Sequence, residues 1–333
     1  MSESNKRNFI VHGSILAIAG ILVRIIGMLY RIPVVNIIGS EGNGIYGAAF
    51  NIYNIMLVLS SYGLPMAVSK LVSARFTKKR YKSAAKVLRC SLMVAVCTGG
   101  IAALLVFFGA SFIENVIYGG GLPGLAVPLR ILAPTIFLVA ILGVIRGFFQ
   151  GQSTMIPTAV SQILEQIVNA IVSIAAGYGM MKAFASSPDV AAYGAAGSTL
   201  GTAMGALTAV LFMGFLYAVY TPTFNRLKRK DRHTENQSTG QICKIIIYTM
   251  IPIILGQTFY QISALIDDVM FSNIMVGRDI TKSISMDLGN FSSSYSLLIG
   301  IPQGVASAMS DNNVSADQDY VICYNKGNIQ SFR

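Results

Sequence analysis

The amino-acid sequence predicts an all-α integral membrane protein. Hydrophobic residues make up 53% of its 333 residues and charged residues only 12%, which is about half the charged fraction of a typical soluble domain. Several apolar runs are about 20 residues or longer, the length that a helix needs to cross a bilayer. Clusters of Lys and Arg recur between these runs, as is typical of proteins that cross a membrane many times.

The apolar runs predict eight membrane crossings. In order, they cover about residues 9–32, 45–67, 87–110, 126–149, 156–181, 194–217, 245–266 and 287–309. The cations lie mainly at the ends of even-numbered crossings, and the positive-inside rule places these ends and both termini in the cytoplasm. The first run follows Lys6 and Arg7 but is too long for a cleaved signal peptide, so it is interpreted as an uncleaved helix.

Two basic segments are the main evidence for this orientation. Residues 70–89 hold eight Lys or Arg and no acid, and they are predicted to form a cytoplasmic loop. Residues 218–244, in which Lys and Arg again outnumber acids, are predicted to form a cytoplasmic linker. The net charge of +11 therefore indicates topology and contact with anionic lipids of the cytoplasmic leaflet rather than nucleic-acid binding.

Two arginines inside the first apolar run need an explanation, because a fixed cation is costly in a membrane. Arg24 and Arg31 are seven residues apart, so on a helix they share one face, about 10 Å apart along the axis. They could reach an interface or backbone carbonyls within the bundle. Alternatively, they face a water-filled cavity and receive an anion. We favour the cavity for Arg24, whereas Arg31 lies closer to the predicted outer interface.

The fifth crossing carries a polar stripe. Its members occupy one helical face at positions i, i+3, i+4 and i+7: Gln162, Glu165, Gln166 and Asn169. Glu165 is the sole acid inside the first six predicted crossings, so it must be paired with a cation or protonated. Arg24 and Arg146 are the candidate partners, of which Arg146 is less well matched in depth. The stripe could instead be a hydrogen-bond network that ties helices together.

Two more crossings present amide side chains at helical spacing. These residues are Asn51 and Asn54 in the second crossing and Gln257 and Gln261 in the seventh. Most such amides hold membrane helices together. Several helices with one polar face each nevertheless favour a shared, hydrated interior. In the sixth crossing, Gly197, Gly201 and Gly205 recur every four residues and predict close approach of a neighbouring helix.

The sequence contains little that enzyme chemistry requires. It lacks a Gly-rich phosphate loop followed by Lys, a nucleophile elbow and a Cys/His pair, and no cofactor or metal site is expected. Asp267 and Asp268 are assigned to a solvated outer loop. A membrane-embedded glycosyl- or acyltransferase would need a catalytic His or Asp at the membrane surface, and His12 and His233 are badly placed for that role.

Five segments resemble a known family, the stage V sporulation protein B-like polysaccharide transporters. They are RIIGMLYRIP at 24–33, IGSEGNGIY at 38–46, GLPMAVSK at 63–70, RGFFQG at 146–151, and the Pro, Ser-Gln and Glu-Gln positions of 157–166. The likeness covers roughly residues 8–305. These transporters belong, with the lipid II flippases, to the multidrug/oligosaccharidyl-lipid/polysaccharide (MOP) flippase superfamily.

The resemblance implies a MATE-like bundle of two lobes around a cavity that opens alternately to each side of the plasma membrane. It implies no enzyme activity and a substrate of undecaprenyl-diphosphate type that bears a sugar or a peptidoglycan precursor, as in lipid II. By position, Arg24 and Arg31 would bind the diphosphate. We expect the polar residues of the second, fifth and seventh crossings to line the same cavity. Enzymes of cell-envelope or spore-cortex synthesis are the expected protein partners.

The resemblance also divides the chain. Residues 1–217 correspond to a complete six-helix lobe, 218–244 to the linker, and 245–309 to the first two helices of the second lobe. Residues 310–333 are polar and unlike the family. Because the family typically has about fourteen helices, we expect a truncated, frameshifted or fragmentary chain. The alternatives are a cation-coupled multidrug exporter of the same superfamily, which would need acids in its cavity, and a truncated membrane protein that does not transport.

Overall fold

The computed structural model describes residues 3–231, 238–278 and 284–291, and the side chains from residue 18 onward except those of 260 and 264. The described part is helical. Its helices are α1 (Glu3–Ser60), α2 (Leu64–Thr77), α3 (Tyr81–Phe112), α4 (Ala126–Gln150), α5 (Ile156–Ala183), α6 (Val190–Lys230), α7 (Thr239–Val276) and α8 (Ile284–Phe291). Within these ranges, six helical segments are long and apolar enough to cross a membrane. The all-α membrane fold class is confirmed.

Helix α1 contains the first predicted crossing and residues 45–60 of the second, joined by a sharp bend at Gly39, and the rest of the second crossing reaches into α2. Gly39 has φ 70° and ψ 177°, a left-handed conformation that glycine adopts without a Cβ clash. The guanidinium carbon of Arg31 lies 5.7 Å from the ring centroid of Tyr46, whereas these residues would be about 22 Å apart along a straight helix. The bend therefore brings the two limbs of α1, residues 3–38 and 40–60, together.

Several predicted loops are helical instead. Most of the basic loop at 70–89 lies in α2 and α3, and a π-helical turn at Ile113–Ile117 extends α3. Much of the predicted linker 218–244 belongs to the end of α6 and the start of α7. Charged side chains do not break a helix whose residues have high helix propensity, so the helices extend further into the basic segments than the apolar runs do. The tail at 310–333 and most of the eighth predicted crossing lie outside the described residues.

The outer loop predicted at Asp267 and Asp268 is also helical. Both lie within α7, which continues to Val276, instead of in an outer loop. Asp267 is exposed and Asp268 is half-buried. The hydropathy of the seventh run falls at this acidic pair, but the helix continues because residues on its other faces pack against the rest of the bundle, including the contact of Ser272 with the carbonyl of Tyr118 at 2.8 Å.

Helix α4 is the central element of the bundle. Leu129 and Ile136, near its first half, belong to one buried apolar cluster, and Leu142 and Phe148 belong to a second. All four side chains are 0–1% exposed. Helices α1, α3 and α6 surround α4 and carry many of the exposed large apolar side chains, as expected for lipid-facing surfaces.

Helices α5 and α6 approach each other closely along the predicted glycine ridge. A Cβ atom added at Gly201 would fall against the Ser173 side chain and 2.6 Å from the carbonyl oxygen of Asn169. A Cβ added at Gly205 would lie 2.6 Å from the carbonyl oxygen of Glu165. The packing role predicted for the ridge is confirmed, and it fixes the polar stripe of α5 relative to α6.

We expect Gly201→Ala to destabilise the bundle by about 1–3 kcal/mol, because the new methyl group meets backbone that cannot move aside. Gly214→Ala, in the same helix, is the matched control, since a Cβ there meets nothing within 4 Å. That control should leave stability unchanged or raise it by up to about 1 kcal/mol. Unfolding midpoints in an SDS titration followed by circular dichroism test this; equal midpoints for the two variants would contradict the close packing.

Candidate functional site

The two arginines of the first apolar run lie on the bundle side of α1. The exposed apolar side chains of this limb form one stripe, made of Leu22, Ile25, Leu29 and Ile32. Arg24, Gly27 and Arg31 lie on the opposite face of the same helix, by the 3.6-residue period. Arg24 is exposed and Arg31 is half-buried. Neither arginine therefore belongs to the apolar stripe that is suited to contact lipid.

The polar stripe of α5 packs against this face. A Cβ atom added at Gly27 would lie 3.0 Å from the amide nitrogen of Gln166, so the missing side chain makes room for that amide. The Asn169 amide donates a hydrogen bond to the Tyr30 hydroxyl at 3.3 Å. We call this contact between α1 and α5 the polar seam, formed by Gly27, Tyr30, Gln166 and Asn169, with Arg24 and Arg31 on the same face of α1.

Asn169 is held in place from the α6 side. Its side-chain oxygen accepts hydrogen bonds from the hydroxyls of Ser173 at 2.9 Å and Thr202 at 3.5 Å. The Ser173 hydroxyl also contacts the carbonyl oxygen of Ser198 at 2.8 Å. Because these bonds fix the amide orientation, its NH₂ group is directed toward α1. The seam is therefore braced by α6 as well as by α5.

Glu165 is paired with Arg146 of α4. One guanidinium nitrogen lies 2.8 Å from a carboxylate oxygen, and the Nε of Arg146 donates to the Ser161 hydroxyl at 2.9 Å. The two side chains are only 14% and 26% exposed. The less expected of the two candidate partners is thus the observed one.

The other predicted site residues lie at more scattered positions. Asn51 donates a hydrogen bond to a carboxylate oxygen of Asp268 in α7 at 2.5 Å, which joins the second limb of α1 to α7. Gln162, Asn54, Gln257 and Gln261 are all half-buried. Of the predicted set, the structure brings Gln166 and Asn169 to the contact between α5 and α1, and it places Glu165 beside Arg146. Arg24 and Arg31 lie on the α1 face that makes this contact, and the guanidinium of Arg31 lies over the ring of Tyr46.

Sequence reasoning missed the serines that complete this network. Ser161 binds Arg146, and Ser173 orients Asn169. The signal was available, because Ser161, Glu165, Asn169 and Ser173 form an unbroken row at four-residue spacing. Tyr30 and Asp268 carried no comparable signal, since their partners are more than 130 residues away in the sequence.

The arrangement can bind an anion with polar substituents. The half-buried Arg31 and the amide donors of α5 lie on facing helices, where electrostatic attraction is less screened than in water, and the exposed Arg24 adds a second cation on the same face of α1. Glu165, the acid of the polar stripe on α5, is already paired with Arg146. Among the residues that the structure describes, no three His, Cys, Asp or Glu side chains gather closely enough to hold a metal ion.

Comparison with known proteins identifies the family of the chain. The family model described as polysaccharide biosynthesis protein matches residues 10–311. The lipid II flippase MurJ of Bacillus subtilis is 34% identical over 176 residues, which cover 51% of this chain and 32% of that protein. Stage V sporulation protein B of the same organism is 30% identical over 210 residues, which cover 62% of this chain and 39% of that protein. The matched regions thus span less than half of each of these two relatives.

Solved structures share the fold. An outward-facing multidrug resistance MATE family transporter of the MOP superfamily superposes with a TM-score of 0.63 at 18% identity, covering 92% of this chain and 65% of that one. A MOP superfamily transporter from Pyrococcus furiosus gives a TM-score of 0.60 at 16% identity, covering 92% and 68%. At this level of identity the likeness establishes the MATE-like helix arrangement and leaves the ligand open.

Proposed function

Because this chain belongs to the polysaccharide biosynthesis protein family of the MOP flippase superfamily, we propose that it takes part in moving a lipid-linked saccharide diphosphate across the plasma membrane. The proposed substrate is an undecaprenyl-diphosphate that carries an oligosaccharide or a peptidoglycan precursor of the lipid II type. The observation that carries the proposal is the polar seam, where Arg24 and Arg31 share the face of α1 that packs on amides of α5.

The charge balance around the seam favours an anionic substrate. Glu165 is paired with Arg146 at 2.8 Å, so the carboxylate is matched and adds no negative charge for a ligand to neutralise. Arg24 and Arg31 add two positive charges on the bundle face of α1. A guanidinium binds phosphate oxygens through two parallel hydrogen bonds, and this pairing strengthens where water is scarce.

The proposed site has three groups of residues with different roles. Arg24 and Arg31 bind the two phosphates, with Arg24 as the principal contact. The amides of Gln166 and Asn169 donate hydrogen bonds to hydroxyl groups of the saccharide. The remaining polar residues of the second, fifth and seventh predicted crossings line the path along which the headgroup moves.

Binding and transport are assigned to different parts of the protein. We propose that residues 1–217 form the first lobe, that 218–244 connect it, and that 245–309 begin the second lobe. Alternating access moves two lobes against each other around a shared site, so transport belongs to both lobes together. Binding rests on first-lobe residues and can be measured on this chain. Both termini are proposed to be cytoplasmic, and envelope-synthesis enzymes would supply and consume the substrate.

The proposal predicts that Arg24→Ala weakens binding of undecaprenyl diphosphate by about 10-fold or more, the loss expected for one charge-assisted contact. Arg24→Lys should recover little, because an ammonium group cannot match the guanidinium fork. Native mass spectrometry of the purified chain in detergent measures both affinities. Lys182→Ala, in the last turn of α5 and outside the seam, is the control. Wild-type affinity in Arg24→Ala would refute the diphosphate assignment.

A cation-coupled multidrug exporter is the second candidate, since the fold is shared with MATE transporters. It would require Glu165 to be available to a cation, and the Arg146 contact opposes this. Ethidium binding distinguishes the candidates. Tight ethidium binding that is lost in Glu165→Gln, with no binding of the diphosphate lipid, would favour the exporter.

A further inference from the structure

A basic pocket lies at the end of the bundle that the charge pattern assigns to the cytoplasm. Its volume is about 480 Å³, and it is lined by the ends of three helices. Four of its lining residues are cations: Lys82, Lys86 and Arg89 of α3, and Lys228 of α6. This pocket takes no part in the polar seam, and an inference about it does not depend on the proposed transport function.

The cations converge because of helical spacing. Lys82, Lys86 and Arg89 stand at i, i+4 and i+7 on α3, so they form one stripe that runs about 10 Å along the helix. Lys228 approaches from α6, and its ammonium nitrogen lies 5.2 Å from the ring centroid of Phe224. This cation–π contact positions the fourth charge beside the stripe.

The pocket walls are tied together by direct contacts. The backbone N–H of Lys82 donates to a carboxylate oxygen of Asp231 at 2.9 Å, which joins the end of α6 to the start of α3. The Cys90 thiol lies 3.9 Å from the carbonyl oxygen of Thr239, the first residue of α7. Asp231 is only 5% exposed. Among the residues that the structure describes, the pocket lining holds four cations and no acid, so this lining is positively charged.

The same face of α3 continues as an apolar surface. Met93 also lines the pocket, one helical turn beyond Arg89. Met93 is 49% exposed and Val96, one turn further, is 46% exposed. A basic pocket thus passes directly into a surface suited to hydrocarbon. A molecule with an anionic headgroup and acyl chains would contact both the cations and the apolar side chains. A soluble anion would contact only the cations.

We propose that this pocket binds the headgroup of an anionic phospholipid of the cytoplasmic leaflet, with its acyl chains along Met93 and Val96. Basic pockets between helix ends on the cytoplasmic side are suited to phosphate-bearing headgroups. A bound lipid would hold the ends of α3, α6 and α7 together. It would thereby stabilise the junction between the first six helices and α7.

The test compares lipid binding in two matched variants of the whole chain. The pocket variant replaces Lys82, Lys86, Arg89 and Lys228 by Gln. The control variant replaces four exposed cations that do not line the pocket and lie on the same predicted side: Lys70, Arg226, Arg229 and Lys230. Both variants lose the same charge, so a general attraction between a basic protein and anionic lipid affects them equally. The Asp231 contact survives in the pocket variant because it uses the Lys82 backbone.

Native mass spectrometry in mixed micelles that contain phosphatidylglycerol or phosphatidylcholine gives the affinities. We expect wild type and control to bind phosphatidylglycerol about 100-fold more tightly than the pocket variant, since each lost cation weakens attraction to an anionic headgroup. Phosphatidylcholine should not distinguish the three proteins. Equal losses in both variants would overturn the proposal. If soluble inorganic pyrophosphate binds wild type as tightly as phosphatidylglycerol, the lipid assignment is wrong.

Discussion

Replacing Arg146 by Ala is expected to destabilise the bundle by about 3–5 kcal/mol, far more than the loss of a solvent-exposed cation would. The pair with Glu165 is close, at 2.8 Å, and largely buried. Removing the guanidinium leaves a carboxylate without its counter-charge inside an apolar bundle, and this cost exceeds the net value of the intact pair. Ser161 also loses the Nε donor at 2.9 Å.

A double variant separates the cost of an orphaned charge from loss of packing. Arg146→Met combined with Glu165→Leu removes both charges and should recover most of the lost stability, as apolar replacements of buried pairs often do. Arg130→Ala is the control from the same helix, because that arginine is exposed and contacts the Ser111 hydroxyl. SDS unfolding midpoints measure all four proteins. If Arg146→Ala unfolds no earlier than Arg130→Ala, the pair does not contribute to stability as argued.

The pairing of Glu165 shows which part of the site was accessible to sequence reasoning. The period of the polar stripe correctly placed four side chains on one face of α5, because helical geometry is local. The choice between Arg24 and Arg146 depended on how α1 and α4 are displaced along their axes relative to α5. That displacement results from packing among distant segments, such as the glycine ridge of α6 on α5, and no local pattern encodes it.

Helix ends were the least predictable feature for a related reason. Hydropathy reports where a segment is apolar, whereas a helix continues as long as its backbone hydrogen bonds and side-chain contacts are favourable. Helix α6 therefore runs on to Lys230 through a basic segment, and α7 passes through Asp268. Asp268 was assigned to solvent because of its charge, but it accepts a hydrogen bond from Asn51. Such pairs become visible only once the helices are assembled.

Helices α1 and α8 pack against each other at two glycines, and substitution at this contact is the second change for which we expect a large effect. A Cβ atom at Gly44 would collide with the carbonyl oxygen of Ser285, and one at Gly289 would collide with the carbonyl oxygen of Ser40. The Asn43 amide also donates to the carbonyl oxygen of Gly289 at 2.8 Å. The two backbones therefore touch at reciprocal glycines. Neither helix can yield, because both sides of the contact are main chain.

We expect Gly44→Val to separate α8 from α1. The larger side chain would overlap backbone atoms, at a cost of about 3 kcal/mol or more if the helices stayed in place, so release of the eight-residue α8 is the cheaper outcome. Amide hydrogen exchange in residues 284–291 should then be about 100-fold faster than in wild type, the factor that corresponds to roughly 3 kcal/mol of lost protection.

Gly109→Val in α3 is the control, because a Cβ there meets nothing within 4 Å. Exchange of residues 284–291 should be unchanged in that variant. Asn43→Ala should give an intermediate rate, since it removes one hydrogen bond and leaves the glycine contact intact. If 284–291 exchange as slowly in Gly44→Val as in wild type, the glycine crossing does not hold α8. Loss of protection confined to this segment would identify Gly44 and Gly289 as the contact that holds α8 against α1.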